Sequence, residues 1–165
     1  MRQLWAPWRM SYLQGEPPSM DSCVFCEKVD ADDGEQHVLY RGEHCFVVLN
    51  RYPYSNGHMM VVPYAHVSKL VELDDAAMLE LLQLAQHAER ILRETQGPQG
   101  FNLGINEGSA AGAGIEEHLH LHVVPRWAGD ANYMTVIGET RVIPQMLCET
   151  YVMLRPWFDR IELGG

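Results

Sequence analysis

Three histidines alternate with two leucines in the run His118-Leu119-His120-Leu121-His122, followed by Val123-Val124-Pro125-Arg126-Trp127. In an extended strand, side chains at i, i+2 and i+4 share a face. One face then carries three imidazoles, and the other carries Leu119, Leu121 and Val123 as core. A solvent-facing strand would mix Thr, Ser, Lys and Glu, so packing gives no reason for an all-histidine face. Neutral imidazole is a common metal ligand, but neighbouring histidines on a strand sit roughly 6.6 Å apart and the outer pair roughly 13 Å. A single zinc with bonds of roughly 2.0–2.1 Å can join two of these and only rarely all three. The other chemistry open to them is nucleophilic. An imidazole can attack phosphorus, form a covalent intermediate and leave again, while its neighbours hold phosphate oxygens and move protons near neutral pH.

A second cluster supports a metal elsewhere. Cys23 and Cys26 form a C-x-x-C pair. A disulfide does not fit a cytosolic chain, and no βαβ context surrounds the pair for a redox motif, so half a zinc site is the reading. Cys45, within Cys45-Phe46-Val47-Val48-Leu49, reads as a small core residue, and Cys148 as structural. Between Asn106 and the triad runs Glu107-Gly108-Ser109-Ala110-Ala111-Gly112-Ala113-Gly114, whose glycines let a phosphate approach backbone amides closely.

The elements that must position these residues can be read from periodicity. Val38-Leu39-Tyr40 and residues 45–49 form a hairpin across Arg41-Gly42-Glu43, and Met59-Met60-Val61-Val62 is a third strand stopped by Pro63. From Asp74 to Gln96, apolar residues at 78, 81, 82, 85, 88, 91 and 92 give helical spacing, capped by Asp74 or Asp75 and ended by Gly97-Pro98. His87 on this helix is a solvated or core histidine. Residues 101–106 make a fourth strand and the triad a fifth. Residues 144–154 make a C-terminal helix whose Met146, Leu147, Tyr151 and Leu154 pack, with Pro156 forcing a break or restart. Residues 27–36 read as an acidic loop. Residues 1–22, rich in Trp and Pro, read as an arm that docks, because Trp5, Trp8 and Tyr12 are too much aromatic surface to leave wet. The expected architecture is an antiparallel α+β layer in a single domain, 1–165, with the arm at 1–22 and a helical extension at 139–165.

At 165 residues and 47% apolar, the chain is long enough for a proper core and has no stretch approaching a membrane span. No basic, apolar leader opens it, so the cytoplasm is the expected location. A net charge of −10, from 22 acids against 12 bases, argues against general nucleic-acid binding. It does not exclude a nucleotide site built from imidazoles, amides and a divalent cation carried with the substrate.

The run from His118 to Val124 resembles the His-φ-His-φ-His-φ-φ pattern of the histidine triad family, without a departure. Pro125-Arg126-Trp127-Ala128-Gly129-Asp130 and Asn50-Arg51-Tyr52-Pro53-Tyr54-Ser55-Asn56-Gly57-His58-Met59-Met60-Val61-Val62-Pro63 resemble its fragile-histidine-triad branch. Trp5-Ala6-Pro7-Trp8-Arg9-Met10 and Cys23-Val24-Phe25-Cys26 are similar to bacterial diadenosine tetraphosphate phosphorylases. The resemblance implies a five-stranded antiparallel sheet, with two subunits joined into one continuous sheet as a homodimer. It implies a nucleotide substrate, a dinucleoside polyphosphate such as diadenosine tetraphosphate, cleaved at the α-phosphate through a nucleotidyl-histidine intermediate. His120 is then the nucleophile and His122 attends the phosphate and leaving group. Asn50 holds the ribose hydroxyls, His58 and Asn106 line the phosphate pocket, and Gly108, Gly112 and Gly114 cradle phosphate. Phe46 and Leu49 are candidates for an apolar base slot. The resemblance also implies that Cys23, Cys26, His66 and His118 hold a structural zinc, with His44 as the competitor for the third place. That assigns one outer histidine to metal and leaves two for chemistry. The loop departs from the branch pattern: Gly114 stands where Gln is expected four residues before the triad, and the loop is one residue longer. The departure bears on what attacks the intermediate. Inorganic phosphate would make the enzyme a phosphorylase, favoured by the N-terminal motif and the C-terminal extension; water would make it an asymmetric hydrolase. A nucleoside phosphoramidase and a non-catalytic nucleotide sensor are the alternatives.

Overall fold

The computed structural model describes residues 23–130 and 143–161; the N-terminal arm, residues 139–142 of the extension and residues 162–165 lie outside them. The sheet is built from β1 (Val38–Arg41), β2 (Cys45–Leu49), β3 (Met59–Pro63), β4 (Gly100–Ile105) and β5 (Leu121–Arg126). The order is β1-β2-β3-β5-β4, and every neighbouring pair is antiparallel. β1 to β3 form a meander of sequential hairpins. The chain then crosses through a long helix to β4 at the edge and returns as β5, between β4 and β3. The antiparallel α+β architecture expected from the pattern is the one observed.

Among the described residues, three α-helices accompany the sheet: α1 (Asp33–Gln36), α2 (Asp75–Gln96) and α3 (Leu147–Phe158). α2 begins where expected, because Asp74 accepts a hydrogen bond from the Ala77 amide at 2.8 Å, a cap contributing about 1 kcal/mol. It ends at Gly97, whose left-handed φ of 59° suits glycine. α1 is a correction to the loop reading of residues 27–36. Asp32 accepts from the Glu35 amide and starts a single helical turn, a local cap too short to register as periodicity. α3 also differs from expectation. It starts at Leu147, after Met146 donates its amide to Glu149, and Pro156 sits inside its last turn rather than breaking it. Phe158 ends the helix two residues later, before the missing proline donor can cost more than one bond. Met146 and Cys148 stand exposed, contrary to their packing assignments, whereas Leu154 is buried and Leu147 and Tyr151 pack against the core.

The sheet has two unlike faces. Leu39, Cys45, Val47, Leu49, Met59, Val61, Leu121 and Val123 pack against Leu84, Ala88 and Leu92 of α2 and Leu154 and Phe158 of α3. Val38, Phe46, Val48, Met60 and Val62 pack instead with Phe25 from the N-terminal side. Burial on both faces explains the near-continuous apolar runs of β2 and β3. The alternation at the triad is resolved as expected. Leu119, Leu121 and Val123 enter the helix-covered core, which leaves the imidazoles on the other face.

Candidate functional site

The histidine run is not one continuous strand. β5 begins at Leu121, and just before it the Leu119 amide donates to the carbonyl of Val67, a residue outside the sheet, at 2.7 Å. His118, next to Leu119, is buried, with 1% of its surface exposed. Its Nε2 donates to the Pro63 carbonyl at 2.8 Å. That bond fixes the tautomer and leaves the Nδ1 lone pair free. Nδ1 lies 3.3 Å from Cys23 Sγ and 3.6 Å from Cys26 Sγ. Cys26 Sγ is 3.2 Å from His66 Nδ1.

One donor atom from each of Cys23, Cys26, His66 and His118 falls within 4.8 Å of the others. A tetrahedral ion with Zn–S of about 2.3 Å and Zn–N of about 2.0 Å places S and N about 3.5 Å apart. Two thiolates and two imidazoles are a soft donor set, suited to zinc and not to magnesium or calcium. Burial pushes the Cys26 thiol up, and the adjacent Cys23 thiol adds to it, so a cation is what would let both ionise together. The four residues therefore fit the zinc that the sequence suggested. His44 takes no part in the cluster; its amide donates to Glu80 on α2.

His120 makes the opposite choice of tautomer. Its Nδ1 donates to the His118 carbonyl at 2.8 Å, leaving the lone pair on Nε2. Burial pushes its pKa below the usual value, so the ring is neutral at pH 7 and its Nε2 is available to attack. His120 and His122 meet edge to face, with centroids 4.8 Å apart.

His122 sits on β5 opposite Met60 of β3 and Gly104 of β4. A Cβ at Gly104 would meet nothing within 4 Å, so the glycine leaves the space beside the imidazole open. Burial, with the neighbouring His120 adding to it, pushes His122 down to about 4. Its tautomer is set by a chain of donors. The Tyr54 amide donates to His58 Nδ1 at 3.0 Å, so His58 carries its proton on Nε2 and donates it to His122 Nδ1, also at 3.0 Å. His122 is left with Nε2–H as an outward donor. His58 itself is 1% exposed. It stands behind His122 and does not line the phosphate pocket as expected. Gly57 makes this possible. At φ 78° it lies against α2, where a Cβ would come within 2.8 Å of Leu92 and 2.9 Å of the Gln96 amide.

Asn50 Nδ2 lies 3.4 Å from both ring nitrogens of His58, while its Oδ1 accepts from the Tyr52 amide at 2.9 Å. The side chain therefore serves the turn and abuts the His58 ring. Asn106 lines an open cavity of about 760 Å³ shared with His122, Tyr54, Asn102, Arg126 and Trp127. Gly108 and Gly112 have positive φ, 75° and 83°, around a 3-10 turn. The Ala111, Gly112 and Ala113 amides donate back to the Gly108 and Ser109 carbonyls. That part of the loop spends its donors on its own turn. Gly112 and Gly114 have open space where a side chain would be. The two base-slot candidates are excluded by their placement. Leu49 faces the helix-covered core, and Phe46 is fully buried and stacked on Tyr64, with centroids 5.5 Å apart. A fully apolar strand gives no alternation from which to tell its faces.

One residue absent from the sequence reading stands between the two clusters. Phe25, inside the C-x-x-C loop, lies 5.4 Å from the His118 ring centroid and 5.0 Å from that of His120. An apolar residue enclosed by two metal-ligand cysteines was the available signal.

Residues 32–129 match the HIT domain. An AP-4-A phosphorylase of Mycobacterium tuberculosis (strain ATCC 25618 / H37Rv) is 45% identical over 161 residues, covering 93% of this chain and 83% of that protein. An uncharacterized HIT-like protein of Mycoplasma pneumoniae is 30% identical over 115 residues, covering 70% of this chain and 78% of that one. Among solved structures, a Zn-bound histidine triad family protein from Mycobacterium smegmatis superposes with a TM-score of 0.68 at 31% identity, covering 84% of this chain and 94% of that chain.

Proposed function

The chain belongs to the HIT-domain family of histidine triad proteins, and we propose that it is an enzyme that transfers a nucleotidyl group from a dinucleoside polyphosphate, such as diadenosine tetraphosphate, to inorganic phosphate. The observation that carries the reading is the pair of fixed tautomers, a lone pair on His120 Nε2 and an N–H on Nε2 of His122, whose ring lines the open cavity. His120 Nε2 attacks the α-phosphorus, a P–N bond forms and the bond to the bridging oxygen breaks. The positive charge on the ring is held by the His118 carbonyl at Nδ1. The polyphosphate leaves as a weakly basic oxyanion and needs a hydrogen bond, which His122 Nε2–H supplies, more than a full proton. Phosphate oxygen then attacks the same phosphorus, the P–N bond breaks and neutral His120 returns. Asn50 and Asn106 contact ribose and phosphate in this reading, and the surface loop of Gly108, Gly112 and Gly114 borders the acceptor.

The 45% identity to the AP-4-A phosphorylase supports phosphate over water as acceptor. Zinc bound by Cys23, Cys26, His66 and His118 is a structural clip, since four protein ligands leave no open position for substrate. A homodimer paired through β4 is supported by that strand's single neighbour among the described residues, β5, and by exposed Asn102, Leu103 and Gly104. The free cysteines fit a reducing, cytoplasmic setting. Product analysis tests the function. Diadenosine tetraphosphate incubated with phosphate yields ADP and ATP, and without phosphate yields no ADP and at most one ATP per site. AMP and ATP in the absence of phosphate would instead identify an asymmetric hydrolase, and binding without turnover a sensor.

A further inference from the structure

We propose that Phe25 is a positioning residue for His120, and that the Cys23–Cys26 loop serves the reactive site by seating it. The inference rests on the reading of His120 as the attacking group. The ring is 1% exposed and touches both imidazoles, edge-on to His118 at an interplanar angle of 68° and tilted to His120 at 49°. Below it lie Val38, Phe46, Val48, Met60 and Val62 of the sheet, and Val24 and Ile115 pack around the same cluster. Phe25 thus packs on this face of the sheet beside the two histidines.

The backbone tether at Nδ1 fixes one edge of the His120 ring. A single hydrogen bond leaves the ring free to tilt about it, and the tilted contact from Phe25, with centroids 5.0 Å apart, limits that freedom. The position of Phe25 is in turn set by its neighbours in sequence. Cys23 and Cys26 bracket it, and both converge with His66 on His118. The loop is otherwise held by the Glu27 amide on the Cys23 carbonyl at 3.0 Å and the Lys28 amide on the Phe25 carbonyl at 3.1 Å. When the four ligands hold an ion, the loop is closed across the ring. When they do not, the exposed Cys26 and His66 have no common partner, and Phe25 loses its outer restraint.

The test uses full-length protein with two independent readouts. In Phe25→Leu, which keeps apolar volume but loses the flat face, zinc stoichiometry stays at the wild-type level and KM is unchanged, while kcat falls on the order of 10-fold. In the same variant the His120 Cε1–H signal, shifted in the wild type by the Phe25 ring current, moves and broadens. Chelating the metal from wild-type protein moves that signal in the same direction. A folded, zinc-loaded Phe25→Leu protein with wild-type kcat overturns the proposal. So does a chelated wild-type protein whose His120 signal stays in place, which decides the matter if the variant does not fold. If wild-type protein turns over no dinucleoside polyphosphate, the functional reading fails, yet the resonance arm still reports whether Phe25 and the metal fix the ring.

Discussion

His118 and His120 are two residues apart, carry the same side chain and touch the same phenylalanine, yet the backbone makes them opposites. His118 gives its Nε2–H to the Pro63 carbonyl and turns Nδ1 toward two cysteines. His120 gives its Nδ1–H to the His118 carbonyl and keeps its lone pair on Nε2. The first arrangement suits a closed metal site, and the second a nucleophile. What separates them is which carbonyl lies within reach. His118 lies before β5, which starts at Leu121, and the Leu119 amide next to it bonds the Val67 carbonyl rather than a neighbouring strand. Side-chain chemistry supplies the possibility, and main-chain geometry assigns the role.

The sharpest way to break the comparison is to remove each ring in turn. His120→Ala lowers kcat on the order of 10,000-fold or more with an unchanged circular dichroism spectrum, since no neighbouring group offers a lone pair in its place. Residual turnover near wild type refutes the attack step. His58→Ala acts one layer further out. It takes away the donor to His122 Nδ1, so kcat falls roughly 10- to 100-fold while KM changes little. If KM rises and kcat holds, His58 contacts substrate directly, and its placement behind His122 is not what matters in solution.

The metal half answers to a different measurement. Cys23→Ser loses stoichiometric zinc by elemental analysis, and the melting temperature falls by roughly 5–10 °C as the ligands of a folded-state ion are lost. Full zinc content in this variant removes Cys23 from the ligand set. Because Cys23 is separated from His120 by Phe25, the variant also lowers kcat, though less than His120→Ala does.

Much of this was legible in the chain, and the reasons are particular. The spacing argued against one ion taking all three histidines, and the resemblance, not distance, singled out His118 for the metal. The α2 limits followed from Asp74 and Gly97, local signals whose physics is complete within a few residues. The role of His58 was misread because it depends on where the Tyr54 amide and His122 meet it. No periodicity encodes that. Leu49 and Phe46 were misassigned for a related reason: in a strand buried on both faces, composition does not say which side faces the imidazoles. Phe25 escaped because its partners lie roughly ninety residues away in sequence.

The smallest effect concerns pH, and its sign separates a buried neutral histidine from one that gains a charged partner. Burial lowers His122 to about 4 in the folded protein, whereas an unfolded histidine titrates near 6.5. As pH falls through 6.5, the unfolded chain takes up a proton that the folded chain refuses until about 4. Unfolding is therefore favoured progressively between those values, and above 6.5 the group contributes no pH dependence. His118 and His120 are lowered in the same direction, so the wild-type curve sums several groups and only a difference isolates one. Melting temperatures of wild type and His122→Gln, followed from pH 7.5 to 4.5, should diverge on the acid side, the wild type losing about 2–4 °C more. Parallel curves would mean that His122 is as well hydrated in the folded chain as in the unfolded one. His58 would then be solvating a charge there, and the outward N–H assigned to His122 would lose its basis.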